Sequence, residues 1–178
     1  MKVISVFGSA SPQAGDSDYA QAEQVGQLLA QAGYAVATGS YIGTMEAVSK
    51  GAAQAGGHVI GVASDAVEAV RPIAPNQYVA EVIRYPTLRE RLMHLVIQND
   101  GAIVLPGGAG TLAEFAILWN SVQVKELSPR PIVLLGDLWK QTIAAFDQPL
   151  YIKPTTRQLL SFATTPYEAV QQVAGFYE

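Results

Sequence analysis

Short runs of apolar residues alternate along the chain with longer stretches in which apolar positions recur every three or four residues. The short runs predict buried strands and the recurring positions predict one face of a helix, so the alternation predicts a parallel sheet wrapped by helices. The first run, Val3-Ile4-Ser5-Val6-Phe7, ends at Gly8. Asp16-Ser17-Asp18 then offers N-cap candidates for a helix whose Val25, Leu28, Leu29 and Ala32 fall at i, i+3, i+4 and i+7, and Gly33 closes it. Tyr34 to Thr38 reads as the second strand. It is followed by Gly39-Ser40-Tyr41-Ile42-Gly43, a helix of small residues up to Gly56-Gly57, and a third strand from His58 to Val62.

Residues 63 to 78, rich in Ala, Pro and Asn, interrupt the alternation and read as a surface excursion. Val79 to Tyr85 resumes as a short strand that Pro86 ends. From Thr87 to Asn99 the helical period puts Leu88, Leu92, Leu95 and Asn99 on one stripe and Arg89, Glu90 and Arg91 off it. Gly101 to Leu105 is another buried strand, leading into Pro106-Gly107-Gly108-Ala109-Gly110 and a helix with Leu112, Phe115, Trp119 and Val122 on one face. Pro129 and Pro131 bracket the entry to a strand from Ile132 to Leu135, and helices near Leu138 to Phe146 and Pro166 to Phe176 complete the chain. No repeat or linker divides it, so a single domain over residues 1–178 is expected.

Composition narrows the chemistry. With 49% hydrophobic and 15% charged residues, the 178-residue chain can bury a core and lacks the polar bias of disorder. Fifteen acidic against eleven basic residues give a net charge of −4, which argues against coating nucleic acid. The absence of cysteine removes thiolate nucleophiles, iron–sulfur clusters and Cys-based zinc sites, and two histidines leave little for any other metal. The run Val3 to Phe7 is too short for a signal-peptide core. No stretch approaches the roughly 18 apolar residues of a membrane helix, so a soluble cytoplasmic protein without a membrane partner is expected.

In an open parallel sheet, ligands bind beyond the carboxyl ends of the strands. Three loops have that placement: Gly8-Ser9-Ala10-Ser11, Gly39 to Gly43, and Gly107 to Thr111. In the third, Gly107, Gly108 and Gly110 can turn successive N–H groups toward one point with a helix dipole behind them, an arrangement suited to a phosphate. Two plainer readings stay open. The glycines could form only a tight turn, and Thr111-Leu112-Ala113-Glu114 also fits a capping box in which Glu114 serves the helix start. The loop lacks the Lys of a P-loop, and a single glycine follows the first strand, so neither common nucleotide fingerprint applies.

The string Pro106-Gly107-Gly108-Ala109-Gly110-Thr111-Leu112-Ala113-Glu114 resembles the P-G-G-x-G-T-x-x-E motif of the LONELY GUY family, whose members are often labelled possible lysine decarboxylases. Arg91, 23 residues before Glu114, stands where that family has its active-site arginine. Phe7-Gly8-Ser9 is similar to the family's opening strand and loop, Gly43-Thr44-Met45 to its G-L-M segment, and Gly56 to Val62 to its G-G-x-V-I-G-V strand entry. The resemblance covers residues 1 to about 135. It implies a Rossmann-like, doubly wound parallel sheet in three layers, α/β/α, assembled as a homodimer or higher homo-oligomer. It also implies hydrolysis of the N-glycosidic bond of a nucleoside 5′-monophosphate, a cytokinin riboside monophosphate or AMP, to free base and ribose 5-phosphate, with no cofactor.

By the same resemblance Arg91 and Glu114 are the catalytic pair, and Gly107, Gly108, Gly110 and Thr111 bind the phosphate. Gly8, Ser9, Gly39, Gly43 and Met45 are candidate nucleotide contacts. A carboxylate at Glu114 would stabilise the oxocarbenium-like ribose and orient water, while Arg91 would hold phosphate or ribose and keep Glu114 ionised. Three departures bear on activity. Arg91-Leu92 stands where the family has Arg-Lys, Thr38-Gly39-Ser40 replaces a glycine triplet, and Glu46 follows Met45 where glycine is usual. Glu46 is either an added carboxylate that alters base or sugar preference or a helix-surface charge. Leu92 and Glu46 motivate an alternative, a non-enzymatic nucleotide or molybdenum-cofactor carrier on the same fold. Tyr41 is a candidate for base stacking or for packing, Trp119 for the core or a dimer interface, and His58 and His94 for structural roles. Lys153 has no context for a Schiff base.

Overall fold

The computed structural model describes residues 1–178. In chain order its elements are β1 (Val3–Phe7), α1 (Ser17–Gln31), β2 (Ala35–Thr38), α2 (Thr44–Gln54), β3 (Val59–Ser64), α3 (Asp65–Val70), β4 (Glu81–Tyr85) and α4 (Leu88–Ile97). They continue as β5 (Gly101–Val104), α5 (Ala109–Gln123), β6 (Ile132–Leu135), α6 (Asp137–Phe146), α7 (Pro154–Arg157), β7 (Ser161–Ala163) and α8 (Pro166–Gly175). The seven strands form one parallel sheet in the order β4-β3-β2-β1-β5-β6-β7. Strand β1 is central, with Ile4 beside Val36 on one side and Gly101 on the other. Because the order runs outward from β1 in both directions, the loops leaving β1 and β5 part there and open a crevice at the carboxyl edge.

Both sheet faces are covered, which is why the central strands read as unbroken apolar runs. On one face Ile4, Val6, Val36, Val59 and Ile103 pack with Val25 and Leu29 of α1, Val48 of α2 and Val170 and Val173 of α8. On the other, Phe7, Ala37, Val62 and Val104 pack with Leu95 and Val96 of α4, Phe115 and Leu118 of α5, and Trp139 and Ile143 of α6. The result is the expected three-layer, doubly wound α/β/α sheet. No helix is long and apolar enough to cross a membrane.

Element boundaries fall within two residues of the pattern's expectation, but four features differ. The 63–78 excursion carries α3 and is anchored by Asn76, whose Nδ2 donates to the Ser40 and Tyr41 carbonyls at 2.9 and 3.0 Å. Helix α4 is turned from its expected stripe: Arg91, Leu95 and Val96 are its buried residues, while Leu88 is half exposed. Apolar counting misses a buried cation whose N–H groups are satisfied by carbonyls. Thr111 does not cap α5, because Gly108 is the N-cap and the helix starts at Ala109, which removes the capping-box reading of Thr111 and Glu114. The capping box lies instead on α4, where Thr87 and Glu90 bond each other's backbone N–H at 3.2 Å. Finally, α7 and the three-residue β7 are too short to leave a periodic signature.

The histidines take structural contacts, His58 with Glu81 at 2.9 Å and His94 with the Tyr85 hydroxyl at 2.9 Å. Trp119 is buried in the second core and donates to the Thr156 carbonyl at 3.0 Å.

Candidate active site

Beyond the carboxyl ends of β1, β2, β3 and β5 lies a crevice of about 470 Å³, within the range of small-ligand sites. One wall is the start of α5. The N–H groups of Gly108, Ala109, Gly110 and Thr111 have no acceptor within the protein, and the first bond of the helix runs from Leu112 N–H to the Gly108 carbonyl at 3.0 Å. Gly108 and Gly110 line the crevice, with open space where a Cβ would stand. Unpaired donors at the positive end of a 15-residue helix, unobstructed by side chains, form an anion-binding concavity.

The other two members of the motif support this wall. The Thr111 hydroxyl donates to the Gly8 carbonyl at 2.9 Å, tying α5 to the loop after β1. Its proton is therefore engaged in the protein, and what Thr111 offers an anion is its backbone N–H. Gly107 does not line the crevice; it packs behind it against Thr111, leaving no room there for a Cβ.

Arg91 and Glu114 meet at the centre. Arg91 Nε donates to the Val62 carbonyl and Nη2 to the Gly39 carbonyl, each at 2.9 Å, while Nη1 stands 3.9 Å from Glu114 Oε1. The guanidinium also lies 5.6 Å from the Tyr41 ring centroid and 3.9 Å from the Met45 sulfur. A Cβ at position 39 would overlap the guanidinium, so any larger residue there must displace the Arg91 side chain. Glu114 is 8% exposed and accepts no hydrogen bond from the protein. Burial pushes its carboxyl up to about 7, with Arg91 pulling it only partly back.

The expectation that Arg91 keeps Glu114 ionised is thus corrected. Two guanidinium nitrogens are committed to carbonyls, and at 3.9 Å the remaining attraction does not offset the desolvation. Near neutral pH the carboxyl is divided between its two protonation states.

Residues 45–173 match a family model described as possible lysine decarboxylase. The chain belongs to this family, the LONELY GUY family. Among its LONELY GUY relatives is a probable cytokinin riboside 5′-monophosphate phosphoribohydrolase of Oryza sativa subsp. japonica, 30% identical over 170 residues, covering 91% of this chain and 67% of the relative. The cytokinin riboside 5′-monophosphate phosphoribohydrolase of Arabidopsis thaliana is 30% identical over 145 residues, 78% of this chain and 61% of the relative. A pyrimidine/purine nucleotide 5′-monophosphate nucleosidase of Escherichia coli strain K12 is 33% identical over 134 residues, 68% of this chain but 28% of its own length. The chain therefore spans little more than half to two-thirds of several curated plant relatives. Among solved structures, the molybdenum cofactor binding protein of Rippkaea orientalis superposes with a TM-score of 0.78 at 26% identity, covering 99% of this chain and 98% of the other.

Of the residues singled out by the LONELY GUY resemblance, the fold brings Gly8, Ser9, Gly39, Met45, Arg91, Gly108, Gly110, Thr111 and Glu114 to the crevice. Gly43 lies outside its lining as the N-cap of α2, at a φ of 73°, and the adjacent Thr44 N–H bonds the Ser9 carbonyl at 2.8 Å. Glu46 is also outside the lining, in the first turn of α2, which favours the reading as a helix charge. Tyr41 is 3% exposed, and its hydroxyl accepts from Ser64 N–H at 2.8 Å and lies 3.1 Å from Glu68 Oε1. That favours packing over stacking on a ligand. Sequence reasoning missed Val67, Arg71 and Ile73, which the excursion after β3 brings to the crevice. The available signal was positional: the segment leaves the carboxyl end of a parallel strand.

Proposed function

We propose that the protein hydrolyses the N-glycosidic bond of a nucleoside 5′-monophosphate, giving free base and ribose 5-phosphate. The observation that carries this reading is a buried carboxyl, free of hydrogen bonds from the protein, beside a row of unpaired N–H groups at a helix start. In the proposed reaction the phosphate sits on the N–H groups of Gly108 to Thr111, which brings the ribose over Glu114. As the bond from C1′ to the base nitrogen breaks, the ionised carboxylate faces the developing positive charge. It orients a water whose oxygen bonds C1′ and takes one proton from it. The departing base nitrogen takes up a proton from solvent and the carboxyl returns its own to solvent, so the water's two hydrogens end on the C1′ hydroxyl and the base. Arg91, fixed by two carbonyls, positions Glu114 and limits how far burial raises its carboxyl. The names of the relatives support the same bond class.

The test is incubation with AMP and with isopentenyladenosine monophosphate, following free base by chromatography. Release that disappears in Glu114→Gln is expected; release that persists in the variant refutes the assignment.

A second reading, a carrier that binds a nucleotide or molybdenum cofactor without turnover, is favoured by the end-to-end similarity to the Rippkaea orientalis protein. Tight binding of the nucleotide with no base released would select it.

A further inference from the structure

We propose that Arg71 reads the base, and that the crevice prefers nucleoside monophosphates carrying a 6-oxopurine over those carrying a 6-aminopurine. The inference rests on the reading above, in which the phosphate occupies the start of α5. From that point the crevice follows the carboxyl edge of the sheet past β1 and β2 to α3, which follows β3. That is three strand spacings, roughly 14 Å, the reach of a mononucleotide rather than of an isolated phosphate. With phosphate at one end and Glu114 at the ribose, the base lies at the far end.

The far end is walled by the apolar side chains of Val67, Ile73 and Leu88, which suit the faces of a flat ring. Arg71 is the charged side chain there. It is exposed and makes no ion pair or side-chain hydrogen bond within the protein, whereas the nearby Arg84 is bound to Asp65 and Glu68 at 3.1 and 2.8 Å. Its segment is held in place: Arg71 N–H donates to the Val67 carbonyl at 2.9 Å, and Asn76 N–H to the Ser40 carbonyl at 2.8 Å. No side-chain oxygen at this end is free to accept from a base, since the Tyr41 hydroxyl is engaged with Ser64 and Glu68.

A guanidinium only donates. The O6 and N7 of a 6-oxopurine are adjacent acceptors that match its fork, whereas the amino group of a 6-aminopurine sets a donor against it. Arg71 is thus a specificity-determining residue, apart from the bond-breaking step.

IMP and AMP differ only at C6 and in the proton that the 6-oxo form carries on the adjacent N1, so the ratio of their kcat/KM values is the readout. The wild type is expected to favour IMP by roughly tenfold or more, and Arg71→Met, which keeps the stem and removes the fork, is expected to bring the ratio close to one. Equal use of IMP and AMP by the wild type overturns the proposal. So does a variant that lowers both substrates by the same factor, as loss of a phosphate contact would. If neither nucleotide is cleaved, the hydrolase reading fails by itself. The same ratio is then read from dissociation constants by calorimetry: tighter IMP binding that Arg71→Met levels supports the proposal, and equal binding overturns it.

Discussion

Replacing Glu114 with glutamine removes a carboxyl that folding carries from about 4.5 to about 7. The folded value is the higher one, so protonation favours the native state. This group's contribution is most favourable below pH 4.5 and is lost as the pH rises from there through 7. The gap corresponds to about 3 kcal/mol once the pH is well above 7. At 8% exposure, solvent screening removes little of it. Glutamine carries no charge at any pH, so the difference between wild type and variant isolates this one group from all other titrations. Urea unfolding of both proteins at about pH 5 and about pH 8.5 is the assay. The variant should gain about 2–3 kcal/mol on the wild type between the two pH values, while losing base release at both. Curves that stay parallel across that range would refute the claim that Glu114 is held in a desolvated, weakly compensated position.

If Glu114 acts in its ionised form, kcat/KM of the wild type should rise through about pH 7 to a plateau; a profile flat from pH 5 to 9 would contradict that role. Gly39→Ala should force the Arg91 guanidinium out of its cradle, costing about 1–3 kcal/mol by denaturant titration. It should also shift the activity profile to higher pH, because Glu114 loses its counter-charge; an unshifted profile would separate the two residues. Ser40 holds a φ of 77° with its buried hydroxyl unbonded. Ser40→Gly should therefore stabilise by about 1 kcal/mol, raising Tm by roughly 2–4 °C in a scan; a lower Tm would show that the hydroxyl is used.

Apart from α3, the order of strands and helices from β1 to β6 is legible in the sequence because buried parallel strands must be continuously apolar and their crossover helices must be amphipathic. The glycine-rich turn before α5 is legible for a related reason: side chains would obstruct backbone donors, so the residue types themselves declare the open wall at Gly108 and Gly110. Neither argument reaches the short α7 and β7, where too few residues repeat to show a period.

What the chain determined by itself was this local grammar, together with Glu114 and Arg91 as candidates through their motif and spacing. Only the tertiary structure decided that Arg91 is buried rather than on a solvated helix face, because its partners are carbonyls within β3 and just after β2, far away along the chain. It likewise decided that Glu46 lies outside the crevice while Arg71 lines it. Burial and the distance between charges are properties of the packed molecule, and they set the state of a carboxyl such as Glu114, which no spacing of residues encodes.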